Sequence, residues 1–74
     1  MARVRLYVAE GCHLCGAALE VVRGVCGDAF ELVDITGDPD LERRYRVVIP
    51  LVEVDGVERF RYEVDADGLA EALR

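Results

Sequence analysis

Val4-Arg5-Leu6-Tyr7-Val8-Ala9-Glu10-Gly11-Cys12-His13-Leu14-Cys15, continued by Gly16-Ala17-Ala18-Leu19-Glu20-Val21-Val22-Arg23-Gly24-Val25-Cys26-Gly27, is the stretch on which the fold turns. Val4, Leu6 and Val8 alternate with Arg3, Arg5 and Tyr7, the period of a strand, and Glu10-Gly11 breaks the run just before Cys12. From Cys15 the period changes. Cys15, Leu19, Val22 and Cys26, with Leu14, Ala18, Val21 and Val25 alongside, form a helical stripe that Gly27 ends. A strand that hands over to a helix through two cysteines is therefore the first unit of the chain.

Working outward, a second strand is expected from Phe30 to Val33, and Asp38-Pro39 reads as a helix N-cap with proline at the first helical position. Leu41 and Tyr45 share a face of that short, charged helix, which stops by Val47. Ile49-Pro50 opens the run Leu51 to Val54, and Asp55-Gly56 turns it back into a partner strand from Val57 to about Val64. Asp65 caps a last helix in which Ala66, Leu69, Ala70 and Leu73 repeat at helical spacing. The order is βαβαββα. A strand–helix–strand start implies a right-handed crossover and a parallel pair, while the hairpin adds antiparallel strands. The expectation is one α/β domain over residues 1–74, a mixed four-stranded sheet flanked by helices.

Composition narrows the function classes. With 9 basic and 15 acidic residues the net charge is −6, which repels phosphate backbones and anionic membrane surfaces, so neither nucleic acid nor membrane is an expected partner. Three cysteines are too few for the disulfide lattice of a small secreted scaffold, and an odd number leaves one thiol over. No apolar stretch reaches the roughly 18 residues of a membrane span. A monomer in the cytoplasm is expected.

The chemistry lies in Cys12-His13-Leu14-Cys15. Cysteines at i and i+3 on an opening helical turn come within about 5–6 Å, the separation a disulfide tolerates. The positive end of the helix dipole favours the Cys12 thiolate, which makes Cys12 the expected nucleophile and Cys15 the resolving thiol. A protonated His13 would favour the thiolate further, and Leu14 supplies apolar surface. Zinc needs about four ligands, whereas Cys26 lies some 16 Å along the helix from Cys15, so no metal is expected. Cys26 instead falls on the apolar stripe, as a small hydrophobe. Glu10 is a solvated loop residue or a proton relay, and Arg43, Arg44 and Arg46 form an exposed basic face or steer an acidic partner. Two other classes compete. A soft-metal carrier would use the same cysteine pair but requires the order βαββαβ, and a non-catalytic binding module would keep the pair only as a stabilising disulfide.

With these residues in view the chain resembles the glutaredoxin and thioredoxin superfamily, in particular the short bacterial glutaredoxin-like proteins. The resemblance spans nearly the whole chain and rests on the Val4–Val8 strand, Cys12-His13-Leu14-Cys15 opening a helix, and Ile49-Pro50 leading into the Asp55-Gly56 hairpin. It implies a thioredoxin fold, a thiol–disulfide oxidoreductase activity, and a cis Pro50 facing the cysteines, with the Ile49 backbone pairing with an extended substrate. The implied partners are protein or low-molecular-weight disulfides and an upstream reductase. Glutathione-using members carry a proline after the first cysteine, a lysine shortly before it and a Gly-Gly-x-Asp stretch near the last helix. Here His13, Ala9 and Arg61-Tyr62-Glu63 stand instead. No tightly bound cofactor is expected, and glutathione stays open only as a reductant, with Asp65 or Asp67 in place of the missing aspartate.

Overall fold

The computed structural model describes residues 2–74; Met1 lies outside them. The elements are β1 (Val4–Val8), α1 (Cys15–Cys26), β2 (Glu31–Asp34), α2 (Pro39–Tyr45), β3 (Leu51–Val54), β4 (Val57–Arg61) and α3 (Ala66–Ala72). The sheet order is β2-β1-β3-β4, with β1 parallel to β2 and antiparallel to β3, and β3 antiparallel to β4. This is the mixed α/β sheet of a thioredoxin fold. No helix among the described residues is long and apolar enough to cross a membrane.

The alternation along β1 divides the core between the two faces. Val4 and Leu6 point towards α1 and α3, where they pack with Ala18, Val22, Val52, Val54 and Leu69. Tyr7 points the other way and packs with Ala9, Cys15, Ile35, Ile49 and Leu51 beneath Leu41 and Tyr45 of α2. Tyr7 therefore belongs to the core, at 4% exposure, and its ring stacks on Tyr45 with centroids 4.3 Å apart. Its hydroxyl donates to Glu53 (3.1 Å) and accepts from Arg5 (3.3 Å), so the polar end of a buried ring is satisfied. Burial pushes the Tyr7 phenol above its ordinary range.

Local signals account for most boundaries. Asp38 caps α2 by accepting from the Asp40 and Leu41 amides (3.1 and 3.2 Å), and Pro39 follows at the first helical position. Asp55 and Gly56 both have positive φ (53° and 81°), the requirement of a two-residue type I′ hairpin. Some boundaries shift. Strand β2 runs from Glu31, not Phe30, and extends to Asp34, because the parallel register pairs Arg5–Val8 with residues 31–34. Strand β4 stops at Arg61 instead of reaching Val64, because Tyr62 turns to φ 69°, leaves the extended region and aims its hydroxyl at the Val47 carbonyl (3.1 Å).

Asp65 caps α3 by accepting from the Gly68 amide (2.9 Å), as its position before the helical repeat implies. A Cβ added to Gly68 would lie 2.9 Å from that carboxylate and 3.2 Å from the Phe60 ring. Alanine inside a helix ordinarily gains about 1 kcal/mol over glycine. Here the gain is cancelled by a lost cap, itself worth about 1 kcal/mol, and by displacement of Phe60. Gly68→Ala is expected to leave the urea midpoint unchanged or lower, and a rise of the full helical increment would show that the cap survives.

Candidate active site

The sheet register builds the site. The β1–β3 ladder ends at Tyr7–Leu51, and Ile49, just before β3, packs in one core cluster with Ala9 and Cys15, against which Val8 at the end of β1 also packs. Val8 and Ala9 are the last residues before the turn that carries the cysteines. The Ile49–Pro50 peptide is cis. Both residues are buried, and the Tyr62 amide donates to the Pro50 carbonyl (2.8 Å), tying the β4 end to the same point.

Gly11, at φ 78°, lets the chain reverse out of β1, and the Cys12 amide donates back to the Ala9 carbonyl (3.3 Å). Helix α1 begins at Cys15, so Cys12 lies in the turn ahead of the helix and not in its first turn. The reason is local: Leu14 occupies the N-cap position without a capping side chain, and the first ladder bond runs from the Ala18 amide to the Leu14 carbonyl (3.1 Å). Cys12 and Cys15 form a disulfide with their Cα atoms 5.4 Å apart. Their surroundings differ. Cys15 is 6% exposed and packs in the Tyr7 core, whereas Cys12 is only partly covered. One sulfur is thus presented outward and the other held beneath it.

Beside Cys12 a shallow recess is lined by Gly11, His13, Leu14, Ile49 and Arg46. The residues named from the sequence therefore meet: Cys12, His13, Leu14 and Ile49 share this recess, and Pro50 lies directly behind Ile49. Arg46, read from the sequence only as one of a basic cluster, arrives here because it follows α2, where it also pairs with Glu42 (3.4 Å).

The family model of the Glutaredoxin-like domain (DUF836) matches residues 3–74. The chain belongs to this glutaredoxin-like family. Among solved structures, the X-ray structure of XcR50 from X. campestris is 30% identical, covering 95% of this chain and 93% of that one, with a TM-score of 0.79. Ne2328 from Nitrosomonas europaea is 28% identical over 96% of this chain and 89% of its own, with a TM-score of 0.67. Human ERp44 shares the fold alone: 18% identity, 97% of this chain against 24% of that one, TM-score 0.55. No curated protein matches.

The other candidate residues of this glutaredoxin-like chain, Glu10, Arg43, Arg44 and Cys26, do not line the recess. Glu10 is exposed, its amide held by the Thr36 hydroxyl (2.9 Å). Arg43 lies 3.9 Å from Asp40, and the Arg44 guanidinium sits over the Tyr45 ring at 5.4 Å. Cys26 is a free thiol packed at the edge of the α1–α3 core, and burial pushes its thiol up, so it stays protonated at neutral pH. Among the described residues no group of three or more His, Cys, Asp or Glu side chains converges as a metal set. The bond between Tyr62 and Val47 has no signal in the sequence. Tyr62 lies within the strand run expected from Val57 to about Val64, and nothing in its neighbours announces a left-handed residue.

Proposed function

We propose that this glutaredoxin-like chain is a thiol–disulfide oxidoreductase that works through Cys12 and Cys15. The observation that carries the proposal is the asymmetry of the pair: a bonded couple in which Cys12 is partly exposed in a recess it shares with Ile49 and its partner Cys15 is buried in the core. In the reduced protein the Cys12 thiolate attacks one sulfur of a substrate disulfide. The substrate bond breaks, its other sulfur leaves as a thiolate that takes up a proton, and Cys12 is left in a mixed disulfide. Cys15 then loses its proton and attacks Cys12, which expels the second substrate sulfur. Two electrons pass to the substrate, and the Cys12–Cys15 bond holds the oxidised product. An upstream reductase, itself a thiol donor, returns the pair to the dithiol.

The positive end of the α1 dipole favours the Cys12 anion. His13, when protonated, adds to the same effect and makes the disulfide more oxidising. Ile49 presents backbone to the substrate, and Leu14 supplies apolar contact. The test is iodoacetamide labelling of the reduced protein near neutrality. Cys12 is expected to react first, well ahead of Cys15 and Cys26, and a rate no greater than that of an unfolded-peptide thiol would refute the proposal. In His13→Ala the Cys12 titration is expected to move up and the reduction potential to fall by about 10–30 mV; unchanged values would leave His13 without a role.

A further inference from the structure

A groove of about 490 Å³, whose lining does not include Arg46, opens between α1 and the segment joining β4 to α3. Its walls are apolar: Leu14 and Val21 on one side, Phe60 and Val64 on the other. Its rim is acidic, since Glu63 and Asp65 also line it. The groove adjoins the recess beside Cys12. Leu14 lines both, and Leu14 and Tyr62 of the groove are each 47% exposed.

The charge on the rim is unbalanced. Among the described residues neither Glu63 nor Asp65 forms an ion pair, and Arg61, next to Tyr62 in sequence, is engaged by Glu58. One Asp65 oxygen accepts from the Gly68 amide, which leaves the negative charge in place. With a net charge of −6 behind it, this flank attracts cations and repels a carboxylate-bearing ligand. Apolar walls with an anionic rim, sharing Leu14 with the recess that holds Cys12, complement one kind of occupant.

We propose that the groove receives the polypeptide flanking the substrate cysteine of a protein disulfide, and that it selects a segment pairing an apolar residue with Lys or Arg. This rests on the chain acting as a disulfide exchanger. The apolar residue packs between Val21 and Phe60 while the cation meets Glu63 and Asp65, and the substrate cysteine is delivered to Cys12. A small anionic disulfide such as oxidised glutathione has no apolar side chain for the walls, and its carboxylates face the acidic rim.

The experiment compares kcat/KM for three symmetric peptide disulfides whose cysteines are flanked by Leu and Lys, by Leu and Glu, or by Gly and Ser, with oxidised glutathione as a fourth substrate. At low ionic strength the Leu-Lys disulfide is expected to react about tenfold faster than the Leu-Glu one, with the ratio shrinking as salt is added. Glutathione is expected to fall with the Leu-Glu peptide. Glu63→Gln should reduce the ratio, and Glu63→Lys, which sets a cation against the remaining Asp65, should bring it close to one. Equal rates for all peptides, or a ratio untouched in both Glu63 variants, would overturn the groove assignment while leaving exchange intact. Turnover of none of the four above a Cys12→Ser control would overturn the exchanger proposal and the groove assignment with it.

Discussion

Cys12→Ser is expected to abolish disulfide reduction, with a loss on the order of 10³-fold or more, because a hydroxyl is scarcely ionised near neutrality and is a far weaker nucleophile than a thiolate. Cys15→Ala is expected to fail differently. Its Cys12 thiolate still attacks, but nothing resolves the product, so protein accumulates as a mixed disulfide of one substrate half per chain. Mass spectrometry of the non-reduced reaction separates the two variants: the Cys15→Ala protein gains the substrate mass and the Cys12→Ser protein does not. The reverse pattern would mean that the buried sulfur attacks first, against the exposure of the two cysteines. Cys26→Ala is expected to leave both behaviours unchanged, since its thiol is held protonated by burial at the far end of α1.

Leu69→Ala carries the largest expected effect on stability. Leu69 is the single buried residue of α3 and is fully enclosed by the core it shares with Val22, Leu6 and Val52. Truncating a leucine in such a site costs about 2–5 kcal/mol, the transfer term plus the cavity left behind. A core of this size supplies only about 3–5 kcal/mol in total. The variant is thus expected to be largely unfolded, or to show a urea midpoint near zero, in both the oxidised and the reduced protein. Leu69→Met, which conserves volume, should cost under about 1.5 kcal/mol. Urea unfolding followed by circular dichroism checks both, and a loss below about 1 kcal/mol for Leu69→Ala would mean that α3 does not anchor the sheet in this way.

The parts of the fold legible from residues alone are those decided within a few positions. Asp38-Pro39 and Asp65 announce their helices because a cap bonds amides two or three residues on. Asp55-Gly56 announces its hairpin because both residues must take positive φ. Cys12 and Cys15 are close in any turn or helix, so the candidate disulfide followed from their spacing even though the helix starts later than expected.

What spacing could not supply depends on pairings made across the chain. Tyr7 carries the alternation of a half-exposed strand, yet α2 covers it, because the face on which a helix settles is decided by the crossover and not by the strand. Arg46 meets Cys12 and His13 only because Tyr7 pairs with Leu51, a contact between residues 44 apart in sequence. Tyr62 leaves its strand to bond Val47, and so shapes the acidic groove, for a reason that no neighbour in sequence reveals. The reactive pair and the order of elements are thus written in short-range preferences of backbone and side chain. The surroundings that tune and select are set by long-range register, where the geometry of one strand against another decides which distant side chains share a space.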